Sequence, residues 1–197
     1  MKMFTAALVA ASMLVPAATT ARAATPAEAL VVAANIDDIV SIDPAEAYEF
    51  SSGEYVTQTY DRLVQYDAPD VTKLAAGLAS EWKADDAAKT ITFTLRDGVK
   101  FSSGNPLRAD DVVYSWKRVV KLNKAPAFLL TQLGWTPDNI DSMVKADGNK
   151  IVVKYEGDFS SAFVLNVLAS RPASVVDAVT VQANEANGDM GNAWLKA

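Results

Sequence analysis

The chain has 197 residues, 50% hydrophobic and 21% charged, with 9 Gly and 8 Pro, a globular composition long enough for one or two small cores and unlike that of a disordered chain. Its net charge of −6, from 24 acidic against 18 basic residues, leaves no basic footprint for nucleic acid or anionic lipid. With no cysteine there is no disulfide, thiol nucleophile or lipid-anchoring residue, and with no histidine the commonest general base and metal ligand are missing.

Met1-Lys2, an apolar run to Val15, Pro16 and the small-residue string ending Ala21-Arg22-Ala23 form the three regions of a secretory signal peptide, with cleavage expected after Ala23. The run is well short of the ~20 residues that span a bilayer, so export to the periplasm as a soluble protein is expected rather than membrane insertion. Residues 29–34 (ALVVAA) predict a strand buried on both faces, with a polar exit through residues 35–44. Ligands of open α/β sheets gather beyond the carboxyl ends of strands, so the loop 43–53 is the first candidate site. Its Tyr48, Glu49, Phe50, Ser51 and Ser52 combine aromatic surface with hydrogen-bonding groups suited to a polar organic ligand.

Helical spacing of Tyr55, Thr59, Arg62 and Leu63 predicts a helix over residues 54–63, followed by a strand at 64–66 and a connector at 70–77. In residues 79–118, Ile91, Phe93 and Leu95 alternate with Thr90, Thr92, Thr94 and Arg96, which predicts a strand with one buried face. Asp97-Gly98 is suited to a tight turn from which residues 99–101 return beside that strand. Val112, Val113, Trp116, Val119 and Val120 then recur at helical spacing. The pair Asp85-Asp86 reads as a hairpin turn and Asp110-Asp111 as a helix start. Lys117, Arg118 and Lys121 complement the far end of that helix, so neither carboxylate pair reads as catalytic.

The run L-A-S-E-W, a polar turn, T-I-T-F-T-L-R-D-G-V-K-F, a Gly-x-Pro turn and A-D-D-V-V-Y-S-W-K-R resembles the signature of the family 5 extracellular solute-binding proteins, the dipeptide, oligopeptide and nickel receptors of ABC importers. Two departures stand out. Arg108 replaces a common Thr and cannot cap, which moves the expected helix start to Asp110, and Ser102-Ser103 replaces a common His-Asp.

Downstream, residues 124–133 predict a short helix entered through Pro126, with Phe128, Leu129 and Leu133 buried. Trp135 either packs on the sheet or stacks on a ligand, and it is kept as a candidate binding residue. Residues 140–146 and 150–155 predict a second hairpin around Asp147-Gly148, residues 159–168 a helix, and 169–176 a strand. Arg171 in that strand is a candidate for a ligand carboxylate, against the alternative of an ion pair within the protein. Residues 179–197 are polar, and no terminal element is expected there.

The resemblance implies an α/β fold of the type II periplasmic-binding-protein kind, first lobe only, with an inserted α+β hairpin subdomain. Residues 1–23 would be the leader, 24–60 the first segment of the lobe, 61–168 the insertion and 169–197 the return, an N-terminal fragment of a longer receptor. It implies a monomeric periplasmic component that captures peptides or a similar polar solute for ABC permease subunits. No catalytic residue, metal ligand or cofactor is expected. The alternatives are an exported non-transport binding module or a truncated receptor without function. An exported hydrolase would need a Ser-Lys or paired-carboxylate centre, for which the residues above are better explained as caps and turns.

Overall fold

The computed structural model describes residues 25–196; the leader lies outside the described residues. Residues 25–34 belong to a unit separate from the one that begins at Asn35 and have neither helix nor strand, and Leu30, Val31 and Val32 are exposed. The strand expected at 29–34 is therefore not formed. Strand pairing needs a partner backbone, and every described ladder lies between Val64 and Lys154.

From Asn35 onward the chain forms one compact unit. Helix α1 runs Phe50–Thr59, four residues earlier than expected, so Phe50, Ser51 and Ser52 belong to its first turn rather than to a loop. Strands β1 (Val64–Tyr66) and β2 (Leu74–Ala76) form a small antiparallel sheet, so the connector at 70–77 contains a strand. Gly77 permits it, because a Cβ there would fall 2.3 Å from the Arg62 carbonyl oxygen.

Strands β3 (Ala79–Asp85), β4 (Thr90–Leu95), β5 (Val144–Asp147) and β6 (Lys150–Lys154) form an antiparallel sheet in the order β3-β4-β6-β5. Ile91, Phe93 and Leu95 are buried, and Thr90, Thr92 and Thr94 face the other way, as the alternation predicts. The expected pairing of residues 99–101 with β4 does not occur. A strand has two edges, and both edges of β4 are taken by β3 and β6. Residues 99–107 instead close a loop through the Lys100–Pro106 bridge.

Helix α2 (Ala109–Leu122) buries Val112, Trp116, Val119 and Val120 against the sheet. It starts at Ala109 rather than Asp110, because the Asp111 carboxylate accepts from the Arg108 N–H at 2.8 Å and secures the first turn in place of a capping side chain. Trp116 lies edge-on to Phe93 (6.4 Å) and stacks on Trp135 (5.9 Å), forming the aromatic centre of the core.

A 3-10 turn at Ala125–Ala127 leads into α3 (Phe128–Thr131), which buries Leu130; Leu133 beyond it is buried as expected, whereas Leu129 is only partly buried and Phe128 is half exposed against Tyr48. A single helical turn, α4 (Ile140–Met143), precedes β5 where strand was expected, because Thr136 and Asn139 exchange side-chain to backbone bonds (2.8 and 3.2 Å) that start it. Helix α5 (Ser161–Leu168) follows as expected, capped by Ser160.

Residues 169–176 are not a strand. Pro172 lacks an N–H, the chain makes a 3-10 turn at Arg171–Ala173, and it is then held by α2. Trp116 Nε1 donates to the Ala173 carbonyl (2.9 Å), Val176 N to Ser115 Oγ (2.9 Å) and Ala178 N to Asp111 Oδ1 (3.1 Å). The polar end is also ordered, as α6 (Ala178–Ala183), capped by Asp177, and α7 (Asn192–Lys196). Among the described residues, no helix is long and apolar enough to cross a membrane.

Candidate binding site

The segment carrying Arg171 is tied to the end of α1 by a bond from Val175 N to the Asp61 carbonyl (2.9 Å), which brings Arg62 and Arg171 to one place. A cavity of about 260 Å³ opens there, lined by Tyr48, Arg62, Tyr66, Leu129, Arg171 and Pro172 among others. Its volume suits a small solute or one end of a larger one.

Arg171 lies against the backbone of α1. A Cβ at Gly53 would fall 1.3 Å from Arg171 Nη1, so glycine at this position leaves the room that the guanidinium occupies against the helix. Among the described residues no carboxylate lies within 4.0 Å of it, and the internal ion pair weighed from the sequence is not made. Arg62 is half buried, and its Nε and Nη1 are inaccessible without any hydrogen-bond partner. Burial lowers its pKa from the usual value; Asp61 opposes this and the Arg171 charge adds to it.

The other candidates separate. Tyr48 lines the cavity and meets Phe128 edge-on at 5.9 Å. Glu49 precedes α1, with Oε2 accepting from Tyr48 N (3.2 Å), and Phe50 points to solvent, 93% exposed. Ser51 donates its N–H to Asp38 Oδ2 (3.1 Å), and the Ser51 side chain and backbone hold that carboxyl below its usual pKa. Ser52 is fully buried. Trp135 does not reach the cavity: it is fully buried, stacked on Trp116, with Nε1 donating to the Lys154 carbonyl (2.8 Å). Arg62 and Tyr66 were not anticipated. Arg62 fitted the expected helix, and only the early end of α1 turns it toward Arg171.

A larger cavity, about 320 Å³, lies between Tyr60, Phe101, Leu107, Val175 and Trp194. Its Asp177 carboxylate already accepts from Ser103, Asn105 and Thr180 at 2.6 to 3.1 Å, which leaves it little capacity for a ligand. The two carboxylate pairs are structural. Asp85 accepts from Ala88 N (2.9 Å), Asp86 from Tyr155 Oη (3.1 Å) and Ser161 N (2.7 Å), and Asp111 as described above. Among the described residues, no three of the acidic, His or Cys type are grouped to hold a metal ion.

The architecture is shared with solved structures of periplasmic binding proteins. The Haemophilus influenzae OppA complex with RPPGFSPFR superposes with a TM-score of 0.66 at 28% identity, covering 79% of this chain and 31% of that one. The unliganded open form of the murein tripeptide binding protein MppA gives 0.63 at 28%, covering 74% and 30%. The fold is thus part of one lobe of a type II periplasmic binding protein.

Residues 73–193 match the family model for bacterial extracellular solute-binding proteins, family 5, and the chain belongs to that family. Among curated relatives, the probable D,D-dipeptide-binding periplasmic protein DdpA of Escherichia coli is 37% identical over 110 residues, 54% of this chain and 21% of that protein. The periplasmic murein peptide-binding protein MppA of the same organism is 36% identical over 84 residues, 43% and 15%. The matched region therefore spans about a fifth or less of these relatives' length. They are binding proteins, not enzymes.

Proposed function

We propose that this chain belongs to the periplasmic solute-binding component of an ABC importer and takes part in capturing a peptide or similar polar solute through a carboxylate at Arg171. The single observation that carries the reading is the Arg171 guanidinium, seated on Gly53 beside a cavity and, among the described residues, without a carboxylate of its own. An arginine so placed is a ready partner for a carboxylate, with Tyr48 supplying apolar contact to the rest of the solute. Capture would proceed by closure of a second lobe over the solute, followed by delivery to membrane permease subunits, with the receptor acting as a monomer.

Isothermal titration with Ala-Ala and its C-terminal amide tests the site. The free acid binds more tightly than the amide, and Arg171→Gln removes the difference. Equal binding of acid and amide to the unsubstituted protein would reject the role of Arg171. Export is tested by sequencing the N-terminus of the periplasmic form, where a mature start at Ala24 is expected.

A further inference from the structure

We propose that Arg62 is a second anion-binding residue of the same cavity, so that the site selects a solute whose bound end carries two negative charges. This rests on the reading of Arg171 above. The observations are geometric. Arg62 and Arg171 line one cavity, and among the described residues neither has a carboxylate within 4.0 Å. Two of the three guanidinium nitrogens of Arg62 have been withdrawn from water without an acceptor. An arginine stays protonated under such conditions, so it cannot relieve the cost by becoming neutral.

Elsewhere in the same fold a buried arginine is fully provided for. Arg118 gives Nη1 and Nη2 to Asp43 and Nε to the Met190 carbonyl. The unpartnered Arg62 is therefore a departure from how this molecule handles a buried guanidinium. A single carboxylate on Arg171 would neutralise one of the two charges and leave Arg62 as it is. A compact dianion would neutralise both charges, and two sources share that chemistry: a C-terminal aspartyl residue, with its α- and β-carboxylates, and a phosphate group.

The test uses the full chain, the probes Ala-Asp, Ala-Ala and inorganic phosphate, and the NMR signals of the arginine Nε–H groups. Ala-Asp is expected to bind about tenfold more tightly than Ala-Ala, the gain of one charge-assisted contact, and to shift the Arg62 and Arg171 signals together. Ala-Ala shifts Arg171 alone. Arg62→Gln should abolish the tenfold preference for Ala-Asp over Ala-Ala. Should Arg62→Gln fail to fold by circular dichroism, Arg62→Lys keeps the charge, loses the planar fork, and should still lower the preference.

Phosphate that shifts both arginines while neither peptide binds would support the dianion site with a phosphorylated solute and reject the peptide reading alone. Equal affinities for Ala-Asp and Ala-Ala, with no Arg62 shift from any probe, would overturn the role of Arg62 and leave that of Arg171 standing. Silence of both arginines toward all three probes would overturn both.

Discussion

Asp43 and Arg118, 75 positions apart in the sequence, meet in a buried bidentate ion pair with N···O separations of 2.6 and 2.5 Å. Arg118 also donates Nε to the Met190 carbonyl (2.6 Å), and Asn192 Nδ2 donates to Asp43 (2.7 Å). One carboxylate thus ties the segment before α1, the far half of α2 and the last turns of the chain. Arg118, expected only to complement the far end of α2, is instead committed to this buried pair. Lys117 and Lys121 do face outward, toward Asp141 (2.7 and 3.4 Å).

Removing one member of a buried pair leaves the other charge uncompensated, which costs about 3–5 kcal/mol. Asp43→Ala is therefore expected to lower the unfolding free energy by that amount in urea denaturation. A loss below about 1 kcal/mol would mean that water reaches Arg118 once the carboxylate is gone.

Gly53→Ala separates stability from binding. Alanine is favoured over glycine within a helix by ~1 kcal/mol, yet its Cβ would occupy the place of Arg171 Nη1. Thermal unfolding should show little net loss, because the guanidinium can swing into the cavity, whereas affinity for Ala-Ala should fall at least about tenfold. Unchanged affinity would show that the seat on α1 does not set the position of Arg171.

Trp135→Phe should do the reverse. The indole is fully buried and bonded to the Lys154 carbonyl, so losing its N–H and part of its ring should cost about 1–3 kcal/mol in denaturant titration. Solute affinity measured by calorimetry should not change, since Trp135 does not line the cavity.

Asp177 predicts an acid-sensitive joint. Burial opposes its ionisation, but hydrogen bonds from Ser103, Thr180 and Asn105 prevail and lower its pKa from 3.8 to about 2. A carboxyl with a depressed folded-state pKa contributes stability that is present above the unfolded value and lost as pH falls through the folded one. Urea midpoints measured from pH 5 to pH 2 should fall, with the Asp177 contribution disappearing between about 3.8 and about 2. Asp177→Asn should be less stable at pH 5 and show a shallower fall, and parallel curves for the two proteins would reject the assignment.

Much of the fold was legible because its elements answer to local periodicity. The alternation through Phe93, the helical recurrence through Trp116 and the Asp147-Gly148 turn each specify their element within a few residues, and each formed as expected. The errors fell where a long-range partner decides. Residues 99–101 had strand character but found both edges of β4 occupied, residues 169–176 were drawn onto the polar groups of α2, and residues 29–34 had no partner strand. Of the candidate site, Tyr48 and Arg171 converge on one cavity, whereas Trp135 belongs to the core and Ser52 to the interior of α1's packing.

By itself the sequence determined the family and the local elements between Ala79 and Lys154, because the hydrophobic period and the turn residues that specify them lie within a few positions of one another. Only the tertiary structure decided which charges are paired. Arg118 is neutralised by a carboxylate 75 residues away, while Arg62 and Arg171 share a cavity without one among the described residues, and no local pattern distinguishes these three arginines. The physical reason is that an ion pair depends on separation in space and on exclusion of water, and both are fixed only when the segments around Asp43, Asp61 and Val175 are packed together.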